Sequence, residues 1–232
     1  MIRRLLTLAT TLLLAACASQ PPPTQPVPPA AQVAPADPVI LISVDGLRAD
    51  YLQRGVTPTI SALAARGVTT SAMRPSFPSL TFPNHYTLVT GLRPDRHGLV
   101  NNNMEDRVLG RFALSIRAAV EDGRWWNGGE PIWVTAERAG IPTATMFWPG
   151  SEAAIRGVRP RRWLRFDGAM PNTARVDQLL AWFDETPRPG LATLYFDTVD
   201  HDGHDFGPDS PEVNRALAEV DAQIGRLMAG LE

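Results

Sequence analysis

Apolar positions along the chain recur with two different periods. Val39–Val44 is a run of apolar, mostly β-branched residues, which reads as a buried strand of a parallel sheet. Residues 143–147 read as the next strand and Leu191–Phe196 as a third buried one. Between them the spacing widens to that of amphipathic helices. Thr57-Pro58 opens one, with Ile60, Leu63 and Ala64 on a single face and Gly67 at its end. Asn172 is a predicted N-cap for a helix bearing Val176, Leu179, Leu180 and Phe183. Ser210-Pro211-Glu212 opens a last helix with Val213, Leu217, Val220, Ile224, Leu227 and Leu231 along one stripe. Residues 131–139 suit a shorter helix ended by Gly140. Residues 68–73 read as a further strand, residues 107–115 as a hairpin around Gly110, and residues 125–129 as a surface loop. Strand and helix signals alternate, so the expected class is α/β.

Chemistry-bearing residues gather where these elements end. Asp45 follows the first strand, at the position where open α/β sheets place ligands, although it could equally cap the next turn. Pro83 suits the start of a short helix over residues 85–89, stopped by Gly91 and Pro94. Thr81 then lies just before a helix N-terminus, where free N–H groups and the dipole favour an anion. It is either an ordinary N-cap or a nucleophile held at an anion site. Beyond the strand Leu191–Phe196 comes an acidic loop, Asp197-Thr198-Val199-Asp200-His201-Asp202-Gly203-His204. Carboxylate and imidazole together make a normal zinc ligand set; a solvated acidic loop is the alternative.

The chain has 232 residues, 44% of them hydrophobic and 20% charged, with net charge −2. One domain with a sizeable core fits that length. No basic excess points to polymeric nucleic acid as a partner. Residues 1–4 are a positive n-region, and residues 5–14 form an apolar h-region too short to span a bilayer. The sole cysteine, Cys17, ends Leu14-Ala15-Ala16-Cys17, which resembles the bacterial lipoprotein lipobox; an ordinary secretory signal is the alternative. The expected division is a signal peptide with its lipidated Cys17 over 1–17, a Pro/Ala-rich tether over 18–38 and a catalytic domain over 39–232. A lipid anchor and Ala18 would place the protein in the bacterial envelope, facing the periplasm from the outer membrane.

Four segments, VILISVDGLRADY, PSFPSLTFPNHYTLVTGLRPDRHGLVNN, MFWPGSEA and YFDTVDHDGHDFGPDS, carry a family resemblance. They resemble the bacterial nucleotide pyrophosphatase/phosphodiesterase branch of the alkaline phosphatase superfamily. The resemblance implies an alkaline-phosphatase-like sheet, mostly parallel with flanking helices. It implies hydrolysis of phosphodiester or pyrophosphate bonds in nucleotide-like small molecules through a covalent Thr81 intermediate. It also implies two divalent metal ions, zinc by preference, with Asp45 and Thr81 on one and Asp200 and His204 on the other. Asn102 and the backbone N–H of Phe82 would stabilise charge on the phosphoryl oxygens. The Phe82 ring would stack on a base or pack in the core. His85, His97 and His201 carry no role in that pattern.

The family pattern continues with an Asp-His pair after a further strand and with a later His. The sequence stops before them, so the resemblance implies a C-terminally truncated chain with an incomplete sheet, half the metal ligands and impaired activity. A phosphomonoesterase of the same superfamily and a non-catalytic envelope lipoprotein are the competing readings.

Overall fold

The computed structural model describes residues 37–232. The signal peptide, Cys17 and nearly all of the tether lie outside the described residues. The described part is an α/β fold. In chain order it runs β1 (Val39–Val44), α1 (Pro58–Arg66), α2 (Thr81–Thr90), α3 (Pro94–His97), β2 (Asn103–Asp106), β3 (Gly110–Ala113) and α4 (Arg117–Val120). It continues α5 (Ile132–Arg138), β4 (Thr143–Met146), β5 (Arg162–Trp163), α6 (Asn172–Asp184), β6 (Leu191–Phe196), α7 (Thr198–Phe206) and α8 (Pro211–Leu231).

Four strands form a wholly parallel sheet in the order β1-β6-β4-β5. β6 is central and buried along almost its whole length. β1 is parallel as expected but not fully buried, because among the described strands only β6 pairs with it. Its register sets Val44 opposite Phe196, and the ladder runs on one step, with Asp45 N–H donating to Phe196 O at 2.9 Å. The carboxyl ends of β1 and β6 are thereby level, and the residues that follow them face the same end of the sheet.

Helix α8 buries Val213, Leu217, Val220, Ile224 and Leu227 against α1, α6 and α7. One polar residue lies in that stripe. Asp221 is only 2% exposed and accepts from Thr59 N–H at 3.0 Å and Ile60 N–H at 2.8 Å. It therefore caps α1 from another helix, while the Thr57 side chain makes no capping bond.

Several sequence expectations shift. Residues 68–73 form no strand and pair with none, and Val68 and Met73 are exposed rather than packed on a sheet face. The hairpin starts earlier, at Asn103, and is β2–β3. Trp125 and Trp126 are buried in a 3-10 turn rather than in a surface loop. The large indole area outweighs the polar glycine-rich surroundings, and Trp126 Nε1–H is satisfied by Val120 O at 3.0 Å. Asn172 is the first residue of α6, not its cap, and its buried amide donates to Thr198 Oγ1 at 2.7 Å and Glu219 Oε2 at 2.8 Å. The acidic segment after β6 is a helix, α7, anchored by the buried Val199.

Replacing Asp221 by Ala strands two helix-terminal N–H groups. Asp221→Ala is expected to lower stability by about 2–3 kcal/mol, and Asp221→Asn, which keeps one acceptor, by less. Urea denaturation with an unchanged m-value is the check; equal losses for both variants would refute the cap.

Candidate active site

The site is built from the ends of β1 and β6 and the starts of α2 and α7. Thr81 is the first residue of α2, with Leu80 as its N-cap, so the helix begins earlier than Pro83 suggested. Pro83 still falls within the first turn, where a missing N–H costs no intrahelical bond. The Thr81 hydroxyl donates to Asp45 Oδ2 at 3.0 Å. The same carboxylate oxygen accepts from the Tyr195 hydroxyl at 2.8 Å. Tyr195 pairs with Ser43 across the β1–β6 ladder, which brings its hydroxyl to the loop after β1.

His85 locks this arrangement from below. It is buried, its Nδ1 lies 2.7 Å from Thr81 O, and its Nε2 lies 2.8 Å from Ser43 Oγ. A carbonyl can only accept, so Nδ1 carries the proton and Nε2 accepts from the Ser43 hydroxyl. Burial pushes the His85 pKa below its ordinary value, which keeps that neutral tautomer. The ring also meets Tyr195 and Trp148 edge-on, at 5.0 and 5.2 Å between centroids. Trp148 Nε1–H donates to His85 O at 3.1 Å.

Asn102 accepts from Phe82 N–H through Oδ1 at 2.9 Å. The two groups expected to act as separate oxyanion donors are thus coupled to each other. The carboxamide is held with its NH₂ end left to donate elsewhere. The Phe82 ring packs on Phe112 and Trp126, at 5.7 and 5.8 Å, and also faces the pocket, so it is both core and wall.

Thr81, Phe82, Asp200, His201 and His204 share one cavity of about 300 Å³ with an aromatic wall of Phe147, Trp148, Phe166 and Tyr195. Asp200 and His204 are four residues apart on α7 and so lie on one face, with His204 Nε2 3.6 Å from Asp200 Oδ2. Burial and the neighbouring Asp45 carboxylate raise the Asp200 pKa, and His204 offsets part of this. Burial, then the Asp45 charge, pushes the Tyr195 phenol well up, so it remains a donor.

Those donors suit divalent cations. Two carboxylates from different elements are near enough for the Asp45 charge to act on Asp200, and the Thr81 hydroxyl lies beside one and the His204 imidazole beside the other. The set is two pairs rather than one cluster: among the described residues no three His, Cys, Asp or Glu side chains converge on a point.

Two parts of the site had no reading in the sequence. Arg175 is buried beneath the pocket and donates to Asp197 Oδ1 at 2.7 Å and Tyr195 O at 3.2 Å. Its signal is a charge on the apolar stripe of α6, in step with Leu179. Arg117 donates to the buried Glu152 Oε2 at 2.6 Å and to Phe166 O at 3.0 Å, while Phe166 N–H donates to Glu152 Oε1 at 3.1 Å. That latch fixes the aromatic wall and joins residues too far apart in sequence to be paired by pattern.

Known proteins share both sequence and shape with this chain. The profile of the family "Type I phosphodiesterase / nucleotide pyrophosphatase" matches residues 39–232. An uncharacterised pyrophosphatase/phosphodiesterase of Schizosaccharomyces pombe is 48% identical over 197 residues, covering 84% of this chain and 41% of that protein. Human ectonucleotide pyrophosphatase/phosphodiesterase family member 1 is 42% identical over 199 residues, covering 84% of this chain and 21% of that protein. The solved structure of murine ectonucleotide pyrophosphatase/phosphodiesterase 5, an inactive threonine-to-alanine variant in complex with AMP, superposes with a TM-score of 0.79 at 34% identity. That match covers 84% of this chain and 52% of the murine one. The chain thus spans about half or less of the length of these relatives. Because the family profile extends over every element that builds the pocket, the chain belongs to the type I phosphodiesterase / nucleotide pyrophosphatase family.

Proposed function

We propose that this chain carries the nucleophile side of a metal-dependent hydrolase of phosphodiester and pyrophosphate bonds in nucleotide-like molecules. The observation that carries the reading is the Thr81 hydroxyl, 3.0 Å from the Asp45 carboxylate at the first residue of α2, on the rim of an aromatic cavity. The murine relative in complex with AMP supports a nucleotide as substrate, and the loss of a threonine in that inactive variant supports Thr81 as nucleophile.

The residues divide the work. Asp45 accepts the hydroxyl proton of Thr81 in a hydrogen bond and so aims the oxygen lone pairs at the pocket. Attack forms a bond from Thr81 Oγ1 to phosphorus and breaks the bond to the leaving oxygen, while the hydroxyl proton passes to Asp45 and on to the leaving oxygen or solvent; water then cleaves the nucleotidyl-threonine ester and restores the hydroxyl. The start of α2, with its N–H groups and dipole, favours the anionic phosphoryl group, and the Asn102 NH₂ adds a donor. Phe82 and Phe166 offer apolar faces to the ester group. Two divalent ions, zinc by donor type, would be held by Asp45 and Thr81 on one side and by Asp200 and His204 on the other. They would supply Lewis acidity and lower the hydroxyl pKa.

The reading also extends to residues 1–17, where the lipobox resemblance supports an envelope lipoprotein anchored through Cys17. Among the described residues no helix is long and apolar enough to cross a membrane.

With zinc present, the chain should hydrolyse bis-p-nitrophenyl phosphate only slowly, since it carries half the family's metal ligands, yet in preference to p-nitrophenyl phosphate. Thr81→Ala should lower turnover on the order of 10³-fold or more, to the uncatalysed background, and abolish the covalent p-nitrophenylphosphoryl adduct at residue 81, seen by mass spectrometry. Undiminished turnover in that variant would end the nucleophile assignment; a preference for the monoester would favour a phosphomonoesterase.

Tyr195→Phe keeps the ring and removes only the bond to Asp45. It should reduce kcat about tenfold with KM and melting temperature close to wild type. An unchanged kcat would show that Asp45 is oriented without it.

In an envelope-bearing bacterial host, Cys17→Ser should abolish both palmitate labelling and recovery in the membrane fraction. Labelling that persists in the variant would refute the anchor.

A further inference from the structure

Residue 46 has no assigned role, yet it is the point where the two halves of the site touch. Gly46 follows Asp45 in the turn after β1 and has φ +72°. A Cβ built there would lie 2.7 Å from Asp200 Cα, 3.0 Å from Asp200 N and 3.1 Å from Asp200 Cβ. Two of those atoms are backbone in the first turn of α7, so no side-chain rotation relieves the overlap. The residue bearing one candidate ligand, Asp45, is therefore followed by one that packs its own backbone on the residue bearing another, Asp200.

We propose that Gly46 is a positioning residue: its missing side chain sets the separation of Asp45 from Asp200, and with it the spacing of the two metal positions. This rests on the metal reading above. Two-metal phosphoryl-transfer sites hold their ions about 3.5–4 Å apart. Relief of a 2.7 Å contact requires α7 to move away from β1 by several tenths of an ångström or more. Since Asp200 and His204 both ride on α7, the whole second ligand pair would move with it. Neither the conformation nor the contact alone makes this argument; the two coincide at one residue between two ligands.

The fold supplies an internal control. Gly55 has nearly the same backbone conformation, φ +75°, but nothing lies within 4 Å of the Cβ position. Gly55→Ala therefore measures the strain of the left-handed conformation without the steric contact. Gly46→Asn complements Gly46→Ala, because Asn tolerates a positive φ while still introducing the Cβ.

The experiment is zinc titration of the full chain by calorimetry, with thermal melts of every variant. Gly46→Ala and Gly46→Asn should fold but melt below Gly55→Ala, because a backbone contact has to open, and should bind zinc about 10–100-fold more weakly than wild type, while Gly55→Ala binds as wild type. Equal zinc affinity in the Gly46 variants would overturn the proposal and leave the metal reading standing. Failure of both Gly46 variants to fold, with Gly55→Ala intact, would also overturn it, because the contact would then serve folding rather than spacing. A wild-type chain that takes up no zinc would overturn the metal reading, and this inference with it.

Discussion

One carboxylate oxygen holds the site together. Asp45 Oδ2 accepts from Thr81 on α2 and from Tyr195 on β6, so three separate elements converge on a single atom. The convergence depends on the β1–β6 ladder. Parallel pairing in register brings both strands to an end at the same level, and the bond from Asp45 N–H to Phe196 O extends that alignment into the loop. A slip of one residue would turn Tyr195 to the opposite face of the sheet and leave Asp45 with one donor.

Thr81 is fixed from two directions, one on its side chain and one on its main chain. Asp45 holds its hydroxyl, and His85 holds its carbonyl while leaning on Ser43, the β1 residue paired with Tyr195. The histidine that the sequence reading left without a role is thus a structural brace beneath the candidate nucleophile. Burial keeps it neutral, and neutrality keeps both of its hydrogen bonds correctly polarised. A side chain used this way needs no contact with substrate to matter for the geometry above it.

The sequence showed the architecture best where hydrophobic periodicity was long. β1, β6, the alternation of elements and α8 were legible because runs of six or more residues average out local exceptions. Short segments were not. Val68 and Met73 carry strand-like character but meet no partner strand, and Trp126 looks like loop yet fills the core. Thr81 and Asp45 stand out because each lies at a strand end or a helix start, whereas Asp200 and His204 are singled out from the neighbouring acids and imidazoles only by the family resemblance. Their supports do not stand out. Tyr195 looks like one more apolar strand residue, and the Arg117–Glu152 latch spans 35 positions. A pattern along the chain reports which face a residue occupies, whereas these roles depend on what lies opposite.

The electrostatics of the pocket then favour a particular division of labour. Asp45 is stabilised by two hydroxyl donors, but Asp200 has only the exposed imidazoles of His204, at 3.6 Å, and His201 to offset burial and the charges of its neighbours. An arrangement that maximised folding stability would separate these acids or insert an arginine. This chain does neither: the buried Arg175 is committed to Asp197. The uncompensated charge is therefore kept at the mouth of the aromatic cavity. A site with that imbalance gains from any divalent cation that enters it, and an anionic phosphoryl group then becomes attracted rather than repelled. In the proposed reading, charge left unpaired among the acids and a hydroxyl pinned at a helix start are two halves of one requirement, since neither alone would draw a phosphate ester to within reach of Thr81.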